Sequence, residues 1–125
     1  EDFELIVVND GSTDTSLELV NKLKDKRIKT YSISNAGVSK ARNFGIQKAT
    51  SKLIVFLDAD DWWKNNHLQE LYKLRKAHPH CGLYAMGYTK KFDNAGRVHS
   101  DGTYCTFAQV LGNFEHQRLA AIVCC

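Results

Sequence analysis

One proline, one methionine and no C-x-x-C pair occur in these 125 residues, and no repeat or low-complexity tract interrupts them. The four cysteines, Cys81, Cys105, Cys124 and Cys125, have neither zinc-ligand spacing nor the look of a disulfide framework, and the adjacent pair cannot easily bridge to itself. Reduced thiols in a cytoplasmic protein fit best, with the inner membrane face as a peripheral alternative. Charge of one sign is also scarce: 17 basic against 14 acidic residues leave a formal +3, and the basic residues are spread through the helical stretches. That argues against a nucleic-acid partner. No apolar run approaches the ~20 residues a membrane span requires. Glu1-Asp2 is acidic where a signal peptide would be basic, so neither targeting nor spanning is expected.

What is present is a composition of 43% hydrophobic and 25% charged residues, that of a globular chain with a real core. Its most informative stretch is Leu53-Ile54-Val55-Phe56-Leu57-Asp58-Ala59-Asp60-Asp61, five apolar residues running into three carboxylates. An unalternating run rich in Ile and Val suits a strand covered on both faces, as inside a parallel sheet packed by helices. Such sheets bind ligands at the C-terminal ends of their strands. Carboxylates crowded there repel one another unless a divalent cation or a set of donors neutralises them. The same three residues also suit a solvated turn and helix cap.

Other elements follow in order. Phe3 to Val8 is an apolar run broken only by Glu4, and it ends at the polar turn Asn9-Asp10-Gly11-Ser12-Thr13-Asp14. Asp14 or Thr15 can cap a helix reaching about Lys26, with Thr15 and Glu18 at capping-box spacing. Arg27 to Ser34 reads as a short returning strand. After the turn Asn35-Ala36-Gly37, the residues Val38, Ala41, Gly45, Ile46 and Ala49 share one face of a helix ending near Thr50. Its N-terminus, opening at the strand edge, favours phosphate. A third helix is expected from a cap at Asn65 or Asn66 through Arg75, stopped by Pro79. The pair Trp62-Trp63 ahead of it suits packing into the core; a Trp beside carboxylates also suits stacking on a sugar or base. Cys81 to Thr89 reads as a strand, Asp93 to Gly96 as a turn, Arg97 to His99 as a short strand, and Phe107 to Leu111 as a possible helix. Leu119 to Cys125 begins like a buried strand. With a strand starting at once after Glu1, the chain is expected to be cut at both ends, a single partial domain over residues 1–125.

Three segments together resemble the family 2 glycosyltransferases. Phe3 to Asp14 resembles the family's strand and D-D-G-S-x-D turn, with Asn9 in place of the first Asp. Asn35-Ala36-Gly37-Val38-Ser39-Lys40-Ala41-Arg42-Asn43-Phe44-Gly45 is similar to its N-x-G-x-S-x-A-R-N-x-G segment. Leu57-Asp58-Ala59-Asp60-Asp61 resembles its F-L-D-x-D-D metal motif. All three fall in order within about sixty residues. The resemblance implies an α/β, Rossmann-like GT-A fold, a mostly parallel twisted sheet with helices on both faces, here incomplete, with the family's first strand missing ahead of Glu1.

It also implies roles. Asp10 would accept the imide N–H of a uracil ring, and Arg42 would lie against the base or diphosphate. Asp60 would coordinate Mn²⁺ or Mg²⁺ bridging the diphosphate, and Asp58 would hold ribose or help hold the metal. Gly11, Ser12, Asn35 and Gly37 are carried over as further nucleotide-sugar-binding positions. The reaction implied is inverting transfer of a sugar from a UDP-sugar or similar donor to a hydroxyl on a glycan, lipid or polymer. No residue matches the family's catalytic base, which is expected beyond Cys125; Asp93, Asp101 and Glu115 are the acidic candidates after the metal motif. Two other functions fit the D-x-D: a phosphotransferase of the haloacid-dehalogenase type, and a nucleotide-binding module without catalysis.

Overall fold

A computed structural model describes residues 2–59, 61–86, 89–92, 98–103, 106–110 and 119–125. Along the chain run β1 (Phe3–Asn9), α1 (Ser16–Lys22), β2 (Ile28–Ser32), α2 (Val38–Lys48), β3 (Leu53–Asp58), α3 (His67–Ala77), β4 (Leu83–Met86), β5 (Thr89–Phe92), β6 (Val98–Thr103), β7 (Thr106–Val110) and β8 (Leu119–Cys124). Six strands form one sheet in the order β2-β1-β8-β3-β7-β4, and β5 pairs with β6 apart from it. The four strands from β2 to β3 are parallel, whereas β7 runs antiparallel to both β3 and β4. The expected mostly parallel α/β sheet is therefore present, with β7 alone reversed and β4 beyond it running again in the common direction.

The apolar runs of β1, β3 and β8 have no alternation because both faces of the sheet are covered. Ile6, Val8, Ile54, Ala120 and Ile122 face α2, where they pack with Ala41, Phe44 and Ile46. Leu53, Val55, Leu119 and Ala121 face α3 and pack with Leu71, Leu68, Tyr72 and, from β4, Tyr84. On α2, Gly45 permits the closest approach to the sheet: a Cβ there would lie 2.5 Å from Cγ2 of Ile122. The C-terminal end of α3 is fastened by the Tyr84 hydroxyl, which donates to the His78 carbonyl at 2.6 Å, and by Arg75 Nη1, which donates to the Pro79 carbonyl at 2.7 Å.

Local expectations hold best where turn chemistry is strong. Asp14 Oδ1 accepts the Ser16 N–H at 2.9 Å at the start of α1. Thr15 occupies the N-cap without a side-chain bond, so the Thr15–Glu18 capping box does not form, and α1 ends at Lys22 with Leu23 exposed. The expected strand from Cys81 to Thr89 divides into β4 and β5, which belong to different sheets. The turn expected at Asp93 to Gly96 lies outside the described residues. The possible helix near Phe107 to Leu111 is corrected: Thr106–Val110 is strand β7. Its weak helical periodicity loses to the hydrogen-bonding needs of β3 and β4, both of which it pairs. The expected buried strand from Leu119 is β8, placed between β1 and β3 rather than at an edge.

The same burial that hides β1 also takes Glu4 out of water entirely. Its carboxylate accepts Lys29 Nζ at 2.8 Å, the Thr50 N–H at 2.7 Å and hydroxyl at 2.8 Å, and the Ser51 N–H at 3.0 Å. One side chain thus joins β1, β2 and the connection from α2 to β3. Burial by itself raises the Glu4 carboxyl, but the bonds from Lys29, Thr50 and Ser51 outweigh it and hold the group at about 2, below its ordinary 4.5. A folded value below the unfolded one stabilises the fold above pH ~4.5, and that contribution is lost as pH falls toward about 2. Glu4→Gln removes it and turns an amide donor toward Lys29. We expect the variant to lose roughly 2–4 kcal/mol at pH 7 and to show a flatter acid limb. Urea titrations at pH 7 and pH 3 check this; equal stability losses at both would overturn the role given to the charged form.

Candidate functional site

The C-terminal edge of the parallel strands carries the polar residues singled out in the sequence. Where β1 ends, buried Asn9 accepts the Ser12 N–H on Oδ1 at 2.8 Å, closing the turn. An amide oxygen serves this as well as a carboxylate does, which explains how Asn stands at a position where Asp is usual. Gly11 takes the turn through φ +82, and a Cβ on it would sit 3.0 Å from that of Asn35. The loop after β1 is thereby laid against the loop before α2.

Asp10 joins those two loops. Its Oδ1 accepts the Ala36 N–H and its Oδ2 the Gly37 N–H, each at 2.8 Å. The amide groups just ahead of α2, expected to face a phosphate, are held by this carboxylate. Each carboxylate oxygen can accept a second hydrogen bond, so Asp10 can brace the loop and still meet a ligand donor.

At the end of β3, Asp58 Oδ1 accepts Arg42 Nη2 at 2.6 Å. Both side chains are more than a third exposed, so solvent screens the pair and its value is positional. Arg42 also lies over the Phe56 ring at 5.7 Å. Two expected ligand contacts are thus partners of each other across the gap between α2 and β3. Asp58 keeps Oδ2 as a second acceptor. Asp60, expected as the principal metal ligand, lies outside the described residues, as do Asp93 and Glu115; Asp101 is on β6, in the smaller sheet. Among the described residues no three His, Cys, Asp or Glu side chains form a metal-holding group.

Between the two carboxylates lies a residue that sequence reasoning missed. Cys124, on β8, is level with Val8 of β1 on one side and Asp58 of β3 on the other, so strand spacing puts Asp58 about 10 Å from β1 across it. Burial pushes the Cys124 thiol up to about 11; nearby Arg42 draws it down, and Asp58, Cys125 and Asp10 push it further up. A neutral thiol thus stands amid the charged groups. The apolar run gave notice of a buried strand and nothing of where that strand would be inserted.

The two tryptophans part company. Trp63 packs against the core and stacks on His67, ring centroids 4.7 Å apart at 12°, as expected of core packing. Trp62 is 68% exposed, against that expectation. His67, whose imidazole burial pushes down, was not singled out in the sequence.

A parallel α/β sheet with helices on both faces and its polar residues gathered at the strand ends defines a GT-A-type, Rossmann-like domain. Residues 1–124 match Glycosyl transferase family 2, and the chain belongs to that family. A putative glycosyltransferase of Bacillus subtilis, EpsH, is 32% identical over 100 residues, 78% of this chain and 28% of that protein. An uncharacterized glycosyltransferase of Haemophilus influenzae is 44% identical over 73 residues, 56% of this chain and 29% of that protein. The minor teichoic acid biosynthesis protein GgaA of Bacillus subtilis is 42% identical over 77 residues, 58% of this chain and 17% of that protein. The chain spans less than a third of the length of each of these relatives. No solved structure matches it. Among the described residues no helix is long and apolar enough to cross a membrane.

Because Gly11 combines a left-handed φ with close contact to Asn35, whereas Gly37 at φ +86 has open space around its Cβ position, their alanine variants should lose stability for different reasons. Gly37→Ala incurs backbone strain alone, at φ +86 and ψ 156 in a region open essentially to glycine, roughly 1–3 kcal/mol. Gly11→Ala adds the clash and should cost roughly 2–3 kcal/mol. Thermal melting of Gly11→Ala checks this, and a loss under about 1 kcal/mol would show that the two loops do not lean on each other there.

Proposed function

We propose that this chain is the donor-binding part of an inverting glycosyltransferase that takes its sugar from a nucleotide-diphosphate donor, a UDP-sugar above others. The observation that carries this reading is the meeting of the three motif segments at one sheet edge: Asp10 with Ala36 and Gly37, and Arg42 with Asp58. Asp10, fixed by two amide groups, is an acceptor of set direction for a uracil imide, and such a site rejects bases that lack the matching donor. Arg42 is a permanent planar cation beside Asp58, able to exchange part of that contact for a diphosphate oxygen. The donor edge of the sheet then orients the nucleotide, and the acceptor's proton goes to a base outside the described residues.

Asp58 suits a hard cation in chemistry: an exposed oxygen ligand at a strand end with one oxygen beyond that bound to Arg42. Asp58 and Asp60 would hold Mn²⁺ or Mg²⁺. When bound, such an ion offsets charge on the departing nucleoside diphosphate. The phosphotransferase alternative normally has a Thr or Val after its D-x-D, where this chain has Asp61-Trp62. The family membership favours glycosyl transfer as well. The relative GgaA is named for minor teichoic acid biosynthesis, which favours a polymer as acceptor. We place the reaction in the cytoplasm, with peripheral attachment at the inner membrane face as part of the same proposal.

Calorimetric titration with UDP tests the reading. We expect binding with Mn²⁺ and a drop of roughly tenfold or more on adding chelator. Asp10→Asn should weaken UDP by roughly 1–2 kcal/mol, because the amide has one acceptor oxygen for the ligand and the two loop N–H groups together. A melting curve on that variant separates loop loosening from the lost contact. Equal UDP affinity with and without cation would remove the metal site from the proposal.

A further inference from the structure

Trp62 directly follows the tight turn that ends β3, in which the Asp61 N–H donates to the Asp58 carbonyl at 3.0 Å. On its other side Trp63 is pinned, half-buried against the core and stacked on buried His67. A backbone held on both sides presents a large apolar ring at 68% exposure. Single exposed apolar residues are ordinary, but this one lies four residues from Asp58 on a segment whose backbone is held on both sides, which leaves less freedom to lose on binding than a loop that must first be ordered. The faces of pyranose rings carry C–H groups that pack on aromatic rings while their hydroxyls stay in water, a match for an indole with one wet side.

We propose that Trp62 is a sugar-stacking residue, its exposed indole receiving the C–H face of a pyranose ring presented beside the Asp58 end of β3. The inference rests on the donor-site reading above and adds to it the residue that meets the sugar. The ring can belong to the donor sugar or to the acceptor, and the experiment separates them. In one arm, calorimetry with Mn²⁺ compares UDP with UDP-glucose, UDP-galactose and UDP-N-acetylglucosamine. In the other, ligand-observed NMR follows the methyl glycosides of the same sugars, with and without UDP.

The wild-type chain, Trp62→Phe and Trp62→Ala are compared, with melting temperatures to confirm that removing an exposed ring leaves the fold intact. If the donor sugar stacks, Trp62→Ala loses about three- to tenfold in affinity for a nucleotide sugar and keeps its affinity for UDP, while Trp62→Phe retains most of both. If the acceptor stacks, the loss falls on a glycoside instead. Sugar responses that are the same in Trp62→Ala as in wild type, or absent from both arms, overturn the proposal. A wild-type chain that fails to bind UDP would overturn the donor-site reading, while the glycoside arm without nucleotide still reads Trp62 by itself.

Discussion

A buried carboxylate holds the first half of this fold in register. Glu4 has no solvent contact, and ionised groups tolerate that only when nearly every lone pair is answered. The answers come from three places distant in sequence: the Lys29 ammonium on β2, and Thr50 and Ser51 at the approach to β3. Because the charge penalises any arrangement that leaves it unpaired, it disfavours a slip of β1 against β2 or a displaced start of β3. The polar residues at the other end of those strands inherit that alignment. Asn9 ends the strand that carries Glu4 and Asp10 comes directly after it, and Asp58 ends the strand whose beginning Thr50 and Ser51 set.

At that other end, charge is handled differently. Asp10, Arg42 and Asp58 each have a protein partner, although Arg42 Nε is buried without one; all three remain partly exposed and each retains capacity for another partner. A site whose loops are already braced loses less freedom on binding than one whose loops must be ordered by the ligand. The family's motif positions therefore serve two ends in this chain: Asp10 ties two loops together, and Gly11 and Gly45 allow the close approaches of loop to loop and helix to sheet.

The differences from expectation share one cause. Thr106–Val110 is a strand because β3 and β4 need its hydrogen bonds, and Trp63 rather than Trp62 enters the core because His67 and the α3 face lie on its side. Two neighbouring tryptophans are equivalent by composition and opposite in environment. Glu4 carries a local signal as well: a lone charge within an apolar run, flanked by residues that are themselves half-buried, has to find partners somewhere.

Read alone, the sequence determined the elements whose information is local. Turn residues such as Asn9, Gly11 and Gly37, apolar runs too continuous for a half-exposed strand, and three motif segments in order were enough for β1, α2, β3 and α3, for burial on both sheet faces, and for the family. Only the tertiary structure decided the strand order, with β8 inserted between β1 and β3 so that Cys124 stands between Asp10 and Asp58. It also decided the pairing of Arg42 with Asp58, the partners of Glu4 and the fate of each tryptophan. Turn preference and periodicity act over a few residues, whereas a strand's neighbours and a charge's partners are chosen among segments far along the chain, as Phe3 is paired with Leu119, by whichever arrangement leaves the fewest hydrogen-bonding groups and charges unanswered.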